Sequence, residues 1–494
     1  MGILQNLVDL VRLNHNLYHA SAQKIARDQS KAVLGLVARV RRDSPFYREI
    51  YRDRDIRSLE DFARLPTIDK RSMMANFDAL NTAGLKLADI KSYALEKEQN
   101  HDYLGYYQGK YVVGLSSGTS GNKGIYVTDK ALTRRLPGVF LARGGVGWRD
   151  LPLRILFILR VFSQGFADIN APLIQLHYLP SMTEPEAIIE QFNKMQANIL
   201  MAPPSLLRQL LHLASRLDHP PRRIITYAEV LEKEEKVRIG QAFRAPVVEI
   251  YQASEGQIAS PCRCGSLHIN EDLVYVELLA EDGRTPVTRP GQRASRMLVT
   301  NLVNTVQPLL RYEMNDLIVL GDPCPCGSHF RVIDQIIGRN DDVLYLMARD
   351  GKSRAVYPDL VSRWIITADD RIREFHVRQI TAGSRQRAGK QQPENHLEIT
   401  IDLFGAVASD AKAEQVADSV AKQTADSETE QAPDGEAEQA PDGEAEQARD
   451  ICTRLERRLA EELAVFGIVC HLTLRCAPIL MPADNRKMKR FERD

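Results

Sequence analysis

No stretch of this 494-residue chain stays apolar long enough to cross a bilayer. The longest apolar run, Leu153 to Phe162, is broken by Arg154 and Arg160 and falls well short of the ~20 residues that a spanning helix needs. Clusters of Lys and Arg dense enough to follow a nucleic-acid backbone are missing too, so no nucleic-acid partner is expected. The amino-terminal stretch MGILQNLVDLVRLNHNLY has helical periodicity but neither a basic leader nor a small-residue cleavage site, and Asn6 stands where a myristoylation signal calls for Ser or Thr. These absences predict a cytoplasmic protein. Cysteine is scarce, with seven in the chain, and without a secretory leader structural disulfides are not expected. A Walker A loop is also lacking: Lys123 is followed by Gly124 instead of Ser or Thr, so any nucleotide site is of another kind.

What is present is ordinary in bulk and uneven in detail. Apolar residues make up 44% and charged residues 26%, which suits a globular chain with a large core and more than one domain. The formal net charge is zero, but Ser409 to Asp450 holds 13 Asp and Glu against 3 Lys and Arg. That segment repeats APDGEAEQ at 432–439 and 440–447 and has almost no large apolar residues. It has too little to bury to order itself, so a disordered acidic insert is predicted over about 405–450. The rest of the chain is left with an excess of basic residues, which suits anionic ligands.

Residues 1 to 60 read as a helical leader, with a break at Ser44-Pro45. From about 110 to 335, short apolar runs (IITY at 224–227, VVEIY at 247–251, LVYVELL at 273–279, RMLVTNL at 296–302) alternate with helical segments such as 184–197 and 203–217. This alternation predicts an α/β domain of helix-covered sheets. Beyond Gly338 a smaller α+β pattern follows, with strands near 343–347, 374–380, 396–403 and 468–475 and a helix near 450–465. The expected division is a large domain over 1–337 and a small one over 338–494.

The densest chemical signal is GLSSGTSGNKG at 114–124, set between the strand-like Tyr111-Val112-Val113 and Ile125-Tyr126-Val127. Gly, Ser and Thr in such density serve a phosphate cradle, a flexible linker or a hairpin turn. Four further stretches follow in order: YQASEG at 251–256, RYEMNDL at 311–317, GRNDD at 338–342 and NRKMKRF at 485–491. Together these resemble the core motifs of the adenylate-forming superfamily, which includes acyl-CoA synthetases and phenylacetate-CoA ligases. The wording YQASEG, LHINED, RYEMND and CPCGS looks most like the adenylate-forming enzymes related to the deazaflavin-coenzyme adenylyltransferase. The resemblance covers about residues 40 to 345 and the last ten.

The resemblance implies a large adenylation domain followed by a small mobile α+β domain. ATP, Mg²⁺ and a carboxylic acid, aromatic or otherwise hydrophobic, would be its ligands. Ser117, Gly118, Thr119, Ser120, Gly121 and Lys123 would grip the β and γ phosphates. Glu255 would hold Mg²⁺, Tyr251 would stack near adenine, Asp316 would accept the ribose hydroxyls, and Glu229 would belong to a loop closing over adenine. Arg339 would reach ribose or phosphate, Asp341 would be the hinge within 338–342, and Lys487 would bridge the acid and the ATP phosphate. Phe162, Phe166, Ala228 and Gln252 would lie near the acyl group. Glu313-Met314-Asn315 departs from the commoner residues between the Tyr and Asp of that motif. VLYLMARDGK at 343–352 lacks the glycine pattern found beside a thiol tunnel, which bears on the acceptor.

Four cysteines form two identical spacings, Cys262-Arg263-Cys264-Gly and Cys324-Pro325-Cys326-Gly. Two such turns can meet as a structural Zn²⁺ site with thiolate ligands. The resembling enzymes pair a cysteine and the histidine of the LHINED stretch with the CPCG cysteines. That makes His268 the fourth ligand and leaves Cys264 as a spare or an alternative. Cys452, Cys470 and Cys476 show no ligand spacing and read as buried thiols. Three functions stand. The first is an AMP-forming ligase passing an acyl group to coenzyme A or a carrier-protein thiol. The second is an adenylyltransferase leaving AMP on its acceptor, and the third a silent zinc-stabilised binding protein. A homodimer is compatible with each.

Overall fold

The structure is a computed structural model. It describes residues 2–100, 102, 104–115, 124–159, 163–380, 395–404, 442–479 and 489–493. The chain divides into two compact units, Met1–Asn340 and Asp341–Asp494.

The first unit begins with helices α1 (Gly2–His19), α2 (Ala22–Asp43) and α3 (Pro45–Ile50). Ser44 makes the expected break: its side chain caps α3, where Pro45 takes the first helical position that costs no hydrogen bond. After four further helices, the longest over Leu87–Gln99, come the antiparallel strands β1 (Tyr111–Leu115) and β2 (Ile125–Asp129), with Leu115 opposite Ile125. Residues 116–123 of GLSSGTSGNKG, between these two strands in sequence, lie outside the described residues. Helix α4 (Leu136–Arg143) follows and packs on α1.

A parallel sheet forms the centre of this unit. Its strands are β3 (Leu153–Leu159), β4 (Ile174–Pro180), β5 (Ile199–Met201), β6 (Arg223–Thr226) and β7 (Val247–Glu249), in the order β4-β3-β5-β6-β7. Crossovers use α5 (Pro185–Lys194), α6 (Pro204–Leu210) and α7 (Lys233–Phe243). Ile155 to Ile158 are all buried, because apolar clusters cover both faces, one around Leu156, Phe192 and Leu207 and the other around Phe157, Ile199 and Ile225.

VVEIY does not form one strand. Its first three residues end the parallel sheet as β7, Ile250 bonds back to Thr226, and Tyr251 opens a second sheet. From there the chain lays down β8 (Tyr251–Ala253), β9 (Gly256–Pro261), β10 (Leu267–Ile269), β11 (Val274–Leu279), β12 (Arg293–Ala294), β13 (Arg296–Asn301), β14 (Tyr312–Met314), β15 (Asp316–Leu320) and β16 (Val332–Arg339). These build a six-stranded sheet of order β12-β15-β16-β10-β9-β8 and a three-stranded sheet of order β11-β13-β14.

The second unit holds the hairpin β17 (Leu344–Met347) and β18 (Ser353–Val356), helix α8 (Pro358–Ile366), strands β19 (Ile372–Ile380) and β20 (His396–Leu403), helix α9 (Asp442–Val465), and strands β21 (His471–Cys476) and β22 (Phe491–Arg493). Its sheet runs β21-β20-β19-β22, with β22 parallel to β19. Trp364, Phe375, Leu455 and Leu459 fill the core beneath it. Helix α9 starts at Asp442, so the final residues of the predicted acidic insert are helical. Glu, Ala, Gln and Arg dominate that turn and favour a helix, and Ile451, Leu455 and Leu459 bury its face. The remainder of the insert, 405–441, lies outside the described residues.

Candidate active site and metal centre

The change of sheet at Ile250 brings several predicted residues together. Tyr251, first in β8, donates its hydroxyl to Asp316 Oδ2 at 2.7 Å. Asp316 opens β15 opposite Arg339 at the end of β16, and Arg339 Nε lies 3.9 Å from Asp316 Oδ1. Glu255 sits in the tight turn between β8 and β9. Its Oε1 accepts the Tyr126 hydroxyl at 2.5 Å, and the Tyr126 and Tyr312 hydroxyls are 3.2 Å apart. Asn301 Nδ2 holds the Glu255 carbonyl at 2.8 Å, which fixes the turn.

Burial pushes the Glu255 carboxyl above its usual value; the Tyr126 hydrogen bond opposes this, and the charge of Asp316 adds to the rise. Lys70 feels burial first, which lowers its value, then the attraction of Glu255. A buried carboxyl with a second carboxylate near enough to raise its value is a setting that a divalent cation would relieve. Tyr126, Tyr312 and Lys70 were not assigned roles from sequence. Tyr312 stood inside a quoted motif and Tyr126 directly after the Gly-rich loop, so position alone could have marked both; Lys70 carried no signal.

Glu229 is engaged elsewhere. It accepts the Ser205 backbone N–H at 3.0 Å and the Ser205 hydroxyl at 2.8 Å, so its charge caps the amino end of α6. Ala228 before it has φ +67°, a left-handed conformation unusual for a residue with a side chain. Phe166 packs on Phe157 at 5.0 Å between ring centres, and Phe157 on Tyr227 at 5.4 Å, while Gln252 is exposed. Asp341 is exposed in a short 3-10 turn, Asn340–Asp342. Ser117, Gly118, Thr119, Ser120, Gly121, Lys123, Phe162 and Lys487 lie outside the described residues.

The two C-x-C-G turns meet. Both glycines take positive φ, +80° at Gly265 and +83° at Gly327, which lets each turn fold back tightly. In each, a backbone N–H points at a sulfur: Cys264 N to Cys262 Sγ at 3.3 Å and Ser328 N to Cys326 Sγ at 3.4 Å. Cys262, His268, Cys324 and Cys326 are buried, and their ligand atoms all lie within 4.8 Å of one another. Tetrahedral zinc bonds of about 2.0–2.3 Å require donor atoms roughly 3.5–3.8 Å apart. Cys262 Sγ and Cys324 Sγ are 3.6 Å apart, and His268 Nε2 and Cys326 Sγ 3.5 Å. His268 Nδ1 lies 2.9 Å from the Phe330 carbonyl, which leaves Nε2 as the ligand atom.

Burial, with the neighbouring sulfurs, pushes Cys326 up to about 12, so three thiolates here need a cation to coexist. The four residues therefore fit Zn²⁺. Cys264, expected as a spare or an alternative to His268, is exposed and stands outside this group, in which His268 joins the three buried cysteines. Cys452, Cys470 and Cys476 are half-buried against the second unit's core.

No family model matches the chain. Protein CapK of Staphylococcus aureus is 25% identical over 321 residues, covering 62% of this chain and 66% of CapK, so the chain spans just under two thirds of that relative's length. Among solved structures, a 2-hydroxyisobutyryl-CoA ligase in the postadenylation state with its 2-HIB-AMP matches 97% of this chain and 91% of its own, with a TM-score of 0.67 at 16% identity. The same ligase in an open conformation with 2-HIB-AMP and CoA matches 96% and 92%, with a TM-score of 0.55 at 16% identity. With its parallel sheet in a large amino-terminal region and an α+β region after it, the chain has the fold of the adenylate-forming ligases.

Proposed function

We propose that the chain is an ATP-dependent, AMP-forming ligase that activates a carboxylic acid and passes the acyl group to a thiol such as coenzyme A. A carboxylate oxygen attacks the α-phosphorus of ATP, and the bond to pyrophosphate breaks. The acceptor sulfur then attacks the acyl carbon, and AMP leaves. Two anions meet in the first step, so the site must supply positive potential and fixed donors.

The observation that carries this reading is the nearness of two carboxylates, Glu255 held by Tyr126 and Asp316 held by Tyr251, close enough that the charge of Asp316 bears on Glu255. Glu255 would hold Mg²⁺, and its raised affinity for a proton expresses the same need for a cation. Asp316, steadied by Tyr251 and Arg339, would take the ribose hydroxyls. Ser117 to Gly121 and Lys123 would bind the phosphates. Phe166, expected near the acyl group, packs on the apolar cluster of Phe157 and Tyr227, which supports a hydrophobic acid. One observation favours adenylyl transfer as the second reading: VLYLMARDGK lacks the glycine pattern beside a thiol tunnel.

The test is acid-dependent exchange of labelled pyrophosphate into ATP across a panel of carboxylic acids, with products identified by mass spectrometry with and without coenzyme A. Exchange with an apolar acid is expected, together with a thioester when coenzyme A is added and a loss of about a hundredfold or more in Glu255→Gln. Full exchange by a folded Glu255→Gln variant removes the magnesium assignment. An AMP-bearing acceptor without a thioester selects the second reading.

A further inference from the structure

Helix α1 is apolar on two opposite sides. Its inner side is settled: Leu10, Leu13 and Leu17 are buried, Asp9 pairs with Arg135 at 2.6 Å, and Asn6 Oδ1 accepts the Gly138 N–H of α4 at 3.1 Å. A side chain at Gly138 would run into the Asn6 carbonyl, so the two helices are in backbone contact there. Its outer side carries Ile3, Leu4, Leu7, Val8 and Val11, each between 50% and 71% exposed. Ile3, Leu7 and Val11 form one i, i+4 ridge, and Leu4 and Val8 form the next. A helix apolar all round is one that is buried, and this half of α1 is covered on one side only.

We propose that this ridge docks against the same ridge of a second copy of the chain, antiparallel about a two-fold axis near Leu7. Ridges four residues apart on both helices interlock at a preferred crossing angle, and a two-fold axis demands a self-complementary patch, which an uncharged aliphatic ridge is. Five aliphatic side chains exposed to this degree expose on the order of 500 Å² per copy. Two copies then reach the ~1,000 Å² that a specific interface needs. Helices that lie on anionic membranes carry Lys and Arg along the polar border, whereas Gly2 to Val11 contains neither and has Asp9. Residues 405–441 offer three valines and no Leu, Ile, Met or aromatic residue, too little for that segment to cover the ridge. Beyond Val11 the outer side turns polar with Arg12 and His15, which ends the contact and centres it at Leu7.

The experiment is sedimentation equilibrium of the full chain from about 0.1 to 100 μM, a range that brackets dissociation constants expected of small interfaces. A dimer is expected, and Leu7→Glu should weaken it by about a hundredfold while circular dichroism and melting temperature stay unchanged. If Leu7→Glu perturbs folding, Val11→Lys gives the same readout at the edge of the ridge. Leu7→Cys should form a disulfide-linked dimer with its own copy under mild oxidation, which the wild type does not form. A wild type that is monomeric throughout overturns the proposal, as does a dimer unaffected by Leu7→Glu. So does Leu7-dependent binding of a monomer to phosphatidylserine vesicles.

Discussion

Glu249 shows how one carboxyl can set a pH profile without touching substrate. It ends β7, where burial raises its value from 4.5 to about 7 and Lys236 opposes only part of the rise. The folded state therefore holds this proton more tightly than the unfolded chain does. Its contribution is fully present below the unfolded value and is lost as pH climbs from about 4.5 through 7. Glu249→Gln keeps the shape and removes the titration, so it should raise the melting temperature by about 2–4 °C at pH 8 and leave it unchanged near pH 4.5. Equal gains at both pH values in differential scanning calorimetry would mean that packing, not charge, is responsible. Single residues were unevenly legible in sequence. Tyr251, Glu255, Asp316 and Arg339 stood in motifs, and the structure brings them into one cluster. Glu249 and Lys70 owe their perturbed charge to neighbours distant in sequence, which no local pattern encodes.

Among the elements, the meeting of the two C-x-C-G turns has the clearest energetic consequence. One turn lies between β9 and β10 and the other between β15 and β16, so a shared metal ties loops that chain entropy would otherwise separate. Protein purified without chelator should contain about one zinc per chain. Cys326→Ser should lose it and melt at least ~5 °C lower, whereas Cys264→Ser should keep both metal and stability. Metal analysis of the two variants decides between the four-residue set found here and one that includes Cys264. Periodicity revealed part of the remaining elements and missed others, among them Ile174–Pro180, Ile199–Met201 and Leu87–Gln99. The parallel strands are buried on both faces and read as apolar runs, and α9 shows its buried stripe at Ile451, Leu455, Leu459 and Leu463. The division of VVEIY between two sheets escaped the reading, because nothing in five apolar or strand-forming residues marks a change of partner. Strand β22 was hidden as well: RKMKRFERD looks like a solvated basic tail. It takes a place in the sheet because Phe491 is buried and Arg490 pairs with Glu374 at 2.8 Å.

On the proposed ligase reading, the second unit would serve one of two half-reactions. If Lys487 bridges the acid and the ATP phosphate, and if the second unit turns about Asp341 once the adenylate has formed, the lysine serves the first step alone. Lys487→Ala should then lose pyrophosphate exchange by about a thousandfold, yet convert a supplied synthetic acyl-adenylate within about threefold of the wild-type rate. Equal loss in both assays would remove the role, and Lys489→Ala serves as the neighbouring control. The sheet of the second unit also has a consequence in time. Val377 in β19 pairs with Phe491, about 110 residues later in the chain. A ribosome adding about 5–20 residues per second leaves that strand edge bare for roughly 6–23 seconds while the acidic repeats are being made. Through this interval the nascent chain presents an open strand edge to whatever is nearby, so a holding chaperone should raise the yield of folded protein more than a slower rate of unfolding would.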